Sequence, residues 1–250
     1  MSGHSKWSTI KRQKGVADIK RGQQFTKLSN AITIAAKQGG GSIDANFKLR
    51  LIIEAARSAN MPKDNITRAI ERGSGKSATG TIDEITYEAF GPHGVALLID
   101  TVTDNRLRTA ASIRSTVERA NGSMGGAGSV SWMFKQMGEI EVKKVNATAD
   151  DIILAAADFE AVDFEDVGNC VLVFTSLEDL EKVKIGLSEK QFQIERFEPT
   201  KRPTNVVQLE DPNKAKQVLD LVEKLEELED VQKVYSNFDI DEKILQEVAG

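Results

Sequence analysis

Six cations crowd the first 21 residues, Lys6, Lys11, Arg12, Lys14, Lys20 and Arg21, against a single acid, Asp18. Lys27 extends the run. Ammonium and guanidinium groups at this density suit one chemistry: they bind phosphates and release the counterions condensed on a polyanion. Among them stands Trp7. Two roles are open to its indole, stacking on an unpaired base, worth about 1–3 kcal/mol, or anchoring the N-terminal arm in a core. A further pair, Arg106 and Arg108 in "TDNRLRTA", falls in the first turn of an expected helix, where the helix dipole disfavours cations. Arginines there call for an anion close by, or for a salt bridge to an acidic domain.

Other chemistries find little support. "GSGKS" at Gly73–Ser77 resembles the end of a phosphate-binding loop, but the glycine required five residues before Gly75 is Ile70, and a helix rather than a strand precedes it. The glycines of "GSMGGAG" follow a helix and precede a strand, the reverse of the dinucleotide-binding order. Two histidines, His4 and His93, and one cysteine, Cys170, lie too far apart for zinc-ligand spacing. No serine or cysteine sits in a recognisable nucleophile setting. The expectation is a protein that is not an enzyme and carries no cofactor or metal.

Charge is distributed unevenly. The chain carries a net charge of −5, yet residues 1–80 hold 15 Lys and Arg against 5 Asp and Glu, leaving 18 against 33 for the rest. From Val145 to Glu181 there is no Lys or Arg and there are ten acids. Such a dipolar molecule is expected to meet nucleic acid with its basic end, while the acidic part faces away or meets a basic protein surface. No apolar run approaches the roughly 18 residues of a membrane span, and no secretory h-region opens the chain. A lone cysteine in an apolar run fits a reducing compartment. A cytoplasmic protein without membrane contact is expected.

Periodicity supplies the elements that must position these groups. Asp18 can cap a helix with Phe25, Leu28, Ile32 and Ala35 inward, stopped by Gly39–Gly41. Asp44 offers a cap for a second helix with Leu49, Ile52, Ile53 and Ala56. Pro62 suits the first turn of a third, with Ile66, Ala69 and Ile70 inward. From Thr81 the period becomes two: Ile85, Tyr87 and Ala89 alternate with acids and threonine, "GPHG" turns the chain, and "VALLID" follows. A helix starting at Thr103 or Asp104 leads through the glycine-rich loop to an expected strand, "SVSWMF". Residues 138–199 read strand–helix–strand–strand–helix–strand, the split βαβ order. Residues 199–203 read as a linker to "NVVQLE", a helix over 213–228, and "VQKVYSNF", completing a second such set. The expected fold is α+β, a helical N-terminal domain followed by two ferredoxin-like α/β domains, the third inserted into the second. The expected boundaries are 1–80, basic, helical and nucleic-acid-binding; 81–137 plus 200–250, discontinuous; and 138–199, acidic and inserted.

"GHSKWSTIKRQKGVADIKRGQQFTKL", "NMPKDNITRAIERG", "YEAFGPHGV", "TDNRLRTA", "GSVSWMF" and "DVQKVYSNF" occur in this order. Together they resemble the YebC family, which includes the mitochondrial translational activator of cytochrome c oxidase, and the likeness covers nearly the whole chain. Ser42-Ile43 stand where the family often has Asp-Pro, and Ala89 stands where glycine is usual. The resemblance implies three domains, one inserted in another. It also implies a ribosome-associated, RNA-binding translation factor that helps synthesis through difficult nascent sequences such as proline runs, or alternatively a DNA-binding transcriptional regulator. On either reading the expected nucleic-acid contacts are Lys6, Trp7, Lys11, Arg12, Lys14, Lys20, Arg21, Lys27, Arg106 and Arg108.

Overall fold

Three helices fill residues 20–73 because the apolar residues there recur at steps of three and four. They are α1 (Lys20–Gly39), α2 (Phe47–Ser58) and α3 (Lys63–Gly73). The computed structural model describes Trp7, Thr9 and residues 20–75 and 82–249; the expected Asp18 cap and Lys76–Ser77 lie outside them. Ile32, Ala35, Leu49, Ile53, Ile66 and Ala69 form the helical core. Gly40, at φ +82, ends α1 in the left-handed region that glycine adopts without strain. The cap of α2 is Asn46 rather than Asp44. Its Oδ1 accepts from the Leu49 amide at 3.0 Å, while its Nδ2 donates to the carbonyls of Ala35 and Gly40, both at 2.8 Å. An amide can do both jobs; a carboxylate has no donor.

The contacts divide the chain into two compact units. One comprises Gly15–Ser131 and Asp211–Ser236; the other comprises Met1–Lys14, Trp132–Glu210 and Asn237–Gly250. The first unit joins the three helices to an antiparallel sheet of order β3-β1-β2-β9, built from β1 (Asp83–Phe90), β2 (Ala96–Thr103), β3 (Ser123–Met124) and β9 (Val231–Ser236). α4 (Arg106–Arg119) packs on α7 (Pro212–Glu226), and both meet strands of this sheet; α1 reaches β2 and β9. The turn between β1 and β2 passes through His93 and Gly94, both at positive φ.

The second unit holds β4 (Phe134–Lys143), α5 (Ala149–Ala157), β5 (Asp163–Asp166), β6 (Cys170–Thr175), α6 (Leu180–Glu189) and β7 (Ile194–Pro203). Its strands lie in the order β5-β6-β4-β7, all antiparallel, which is the ferredoxin-like arrangement read from the sequence. Ile140, Val142, Ile152, Val171, Val173, Val183 and Leu187 fill the space between sheet and helices. Thr148 and Asp151 form a reciprocal capping box at the start of α5. The short strands β8 (Val207–Leu209) and β10 (Phe238–Ile240) pair in parallel, and α8 (Glu242–Ala249) follows.

The architecture is α+β as expected, but several strands differ. "SVSWMF" is no strand: Ser131–Met133 form a 3-10 turn, and β4 begins only at Phe134. The Glu88 carboxylate accepts from the amides of Gly128, Val130 and Ser131, so those N–H groups are withdrawn from any ladder. Residues 199–203 are the end of β7, paired with β4 as far as Phe134↔Pro203, and not a linker. "VQKVYSNF" splits at Asn237 into β9 and β10, which belong to different sheets. "NVVQLE", expected beside the middle sheet, pairs with β10 instead; the place it would take between β3 and β2 is filled by β1.

Candidate nucleic-acid interface

The expected cations are distributed as follows. Lys6, Lys11, Arg12 and Lys14 lie outside the described residues, and Lys20 and Arg21 open α1. Lys27, half-buried on α1, donates its Nζ to the carbonyl of Glu226 at 2.5 Å. That carbonyl belongs to the last residue of α7, where unsatisfied backbone oxygens favour a cation. Trp7 is half-buried in helical backbone; its Nε1 is shielded from solvent and has no hydrogen-bond partner among the described residues. Thr9 beside it is buried. Part of the Trp7 indole is therefore already committed to protein packing.

Arg106 and Arg108 stand at the start of α4, whose cap is Asn105, not Thr103 or Asp104; its Oδ1 accepts from the Arg108 amide at 3.1 Å. Both arginines meet carboxylates of their own unit rather than of the acidic insert. Arg106 Nε lies 2.9 Å from Asp83 Oδ2, and Arg108 Nη2 lies 2.8 Å from Asp104 and 3.1 Å from Asp230. The hydrogen bond from Arg106 holds the Asp83 carboxyl below the usual range, and Asp230, then Asp104, raise the Arg108 guanidinium. The dipole penalty of two cations at a helix start is thus offset by three aspartates. Thr109 Oγ1 donates to Asp230 at 2.6 Å, which ties that carboxylate into α4.

A cleft of about 230 Å³ opens beside Arg108, lined among others by Asn30, Arg72, Asp104, Glu229 and Asp230. Arg72 was not singled out from the sequence. It donates to the hydroxyls of Ser29 at 2.9 Å and Thr33 at 3.2 Å, and no carboxylate among the described residues forms an ion pair with it. Its place in the last turn of α3 explains its presence without a ligand.

Part of the insert's negative charge is paired within its own unit. Asp158 pairs with Lys190, Glu160 with Lys182, Asp166 with Lys144, and Asp163 and Glu165 with Arg202. On the sheet face away from the helices, Arg196 is enclosed by Glu139, Glu141 and Glu198. Burial pulls its guanidinium downward, but the three glutamates outweigh it and leave it raised. Asp150, Glu178 and Glu181 remain exposed without an ion-pair partner among the described residues.

Trp132 was also missed. An alternating strand would place Val130 and Trp132 on one face, but the 3-10 turn breaks the alternation: Val130 is fully buried and Trp132 is 67% exposed.

Residues 5–76 match the family model described as the TACO1/YebC protein N-terminal domain, and residues 82–238 match the one described as the TACO1/YebC second and third domain. A probable transcriptional regulatory protein of Dictyoglomus thermophilum is 46% identical over the full length of both chains. Its namesake in Chlorobaculum tepidum is 48% identical, covering 98% of each. Among solved structures, a conserved hypothetical protein of Aquifex aeolicus, Aq1575, superposes with a TM-score of 0.85 at 37% identity, covering 92% of this chain and 94% of that one.

Proposed function

Since the chain belongs to the TACO1/YebC family, we propose that it is a non-enzymatic, cytoplasmic nucleic-acid-binding regulator of gene expression. In the finer reading it is a ribosome-associated RNA-binding factor that assists synthesis of difficult nascent sequences such as proline runs. The observation that carries the proposal is the charge division: 15 basic against 5 acidic residues in positions 1–80 of a chain whose net charge is −5. Phosphate contacts from Lys6, Lys11, Arg12, Lys14, Lys20 and Arg21 hold the protein on nucleic acid without reading sequence. Arg106 and Arg108 join them by exchanging a carboxylate for a phosphate oxygen, since their side chains stay more than half exposed in their present pairs. Lys27 contributes only to the local field, because its ammonium is held by the Glu226 carbonyl. Asp150, Glu178 and Glu181 are the carboxylates with which the insert would meet a basic protein surface.

A DNA-binding transcriptional role is the second reading. It is favoured by the name that the relatives carry, probable transcriptional regulatory protein. Sedimentation with ribosomes, before and after nuclease treatment, tests the first. Co-sedimentation that nuclease abolishes supports it, and tighter, sequence-selective binding to duplex DNA would move the assignment to the second. If six cations contact single-stranded RNA, log affinity should fall against log salt with a slope of about −4. Removing Lys11, Arg12 and Lys14 together should flatten that slope by about 2.

A further inference from the structure

The ferredoxin-like unit is acidic along most of its length, but one end is not. Residues 131–138 and 199–209 contain no Asp or Glu, and they hold Lys135, Lys201 and Arg202. The register brings these two segments together: Phe134 faces Pro203, Lys135 faces Arg202, and Gln136 faces Lys201. Arg202 is engaged by Asp163 and Glu165. Lys135 is exposed, with no ion pair among the described residues.

At this end lies Trp132, in the 3-10 turn that precedes β4. Tryptophan is highly buried on average, yet two-thirds of this one meets solvent. Its backbone is nonetheless well anchored. The carbonyl of the next residue, Met133, accepts from both the amide of Thr204 at 2.7 Å and its hydroxyl at 3.0 Å. A large exposed ring on a fixed turn loses little conformational freedom when a planar partner lies on it. Lys135, three residues on and exposed, suits a partner whose flat group is joined to phosphate.

We infer that Trp132 is a stacking platform for an unpaired nucleobase, with Lys135 taking an adjacent phosphate. The inference rests on the nucleic-acid reading above and transfers to Trp132 the stacking role that the sequence suggested for Trp7. Aromatic stacking accepts any base, so this site adds affinity for single strands without sequence preference. A duplex keeps its bases stacked on one another and has none to offer.

The full-length Trp7→Phe variant leaves Trp132 as its one tryptophan, so fluorescence reports on the site directly. Titration with a short single-stranded RNA of mixed sequence should quench Trp132, whereas the same RNA annealed to its complement should not. Trp132→Ala should weaken single-strand binding by about 10-fold, within the range for loss of one stacked base, while leaving the salt slope unchanged. Trp132→Tyr should restore most of the loss. Lys135→Ala should instead reduce the slope by about 0.7. Salt-dependent binding that persists with Trp132 unquenched, and unaltered in Trp132→Ala, overturns this inference while leaving the nucleic-acid reading intact. Absence of salt-dependent binding to any nucleic acid overturns both. Quenching that grows with protein concentration without RNA, together with dimers in sedimentation, assigns the ring to a second copy of the chain and also overturns the inference.

Discussion

The carboxylate of Glu88 lies 2.6 Å from the amide nitrogen of Val130, and through this contact β1 shapes the glycine-rich loop that follows β3. The same oxygen accepts from the Ser131 amide at 2.9 Å, and the other accepts from Gly128 at 2.7 Å. Burial pulls this carboxyl upward, but the amides of Val130, Gly128 and Ser131 outweigh it and hold it below the ordinary range. Hydrogen bonds to a charged acceptor contribute about 1.5–3 kcal/mol, so Glu88→Ala should destabilise the protein by about 1–3 kcal/mol. Glu88→Gln should recover part of this, because its one amide oxygen can still accept from Val130 and Ser131 while its nitrogen would face the Gly128 donor. Since the folded carboxyl is the stronger acid, its contribution is complete above the unfolded value of about 4.3 and is lost as pH falls through the folded value. The gap in melting temperature between wild type and Glu88→Gln should therefore hold steady near neutrality and narrow below about pH 4. A gap unchanged in acid would assign the effect to shape rather than charge.

Asn46 links the end of α1 to the start of α2 through one acceptor and two donor bonds. Asp is ordinarily as good an N-cap as Asn. Here Asn46→Asp should be the more damaging change than Asn46→Ala, because it sets a buried carboxylate against the carbonyls of Ala35 and Gly40. Chemical denaturation of both variants checks the order. We expect a loss of about 1–2 kcal/mol for alanine and a larger one for aspartate at neutral pH.

At Gly73 the end of α3 touches α1. A Cβ there would stand 2.2 Å from the Thr33 carbonyl oxygen and 2.7 Å from the Ala36 Cβ. Gly73→Ala must push the helices apart, and overpacking of this kind costs about 1–3 kcal/mol. Thermal unfolding should show it. Gly126→Ala, with open space at the Cβ position and no positive φ, serves as the control that should melt near wild type.

Arg106 and Arg108 are separable by their partners. Asp83, the partner of Arg106, is one-third exposed, whereas Asp230, a partner of Arg108, is 15% exposed and also bound by Thr109. Arg106→Ala should leave the melting temperature almost unchanged, while Arg108→Ala should lower it by leaving Asp230 without its cation. If Arg106 reaches phosphate by leaving Asp83, then Asp83→Asn should tighten RNA binding at low salt; unchanged affinity would remove Arg106 from the contact surface.

Much of the molecule is legible in its sequence. Local patterning placed the apolar faces of α1, α2 and α3, and the split βαβ order of the insert emerged from periods that changed between two and three to four. What patterning could not supply was the destination of individual polar groups. Asn46 and Asp44 both look like caps, and the choice fell to the one able to donate to Ala35 and Gly40, carbonyls on the preceding helix and its terminal loop. "SVSWMF" alternates like a strand, yet Glu88, some forty residues earlier, takes the amides of Val130 and Ser131. β9 and β10 read as one run because nothing local marks Asn237 as the point where the chain changes sheets. By itself the sequence determined the composition of each element and the placement of positive charge near its start. Tertiary structure decided which tryptophan is exposed, which carboxylates neutralise which cations, and which strand completes each sheet. Those outcomes depend on donors and acceptors far apart in the chain, whose pairing exists only once the chain is folded.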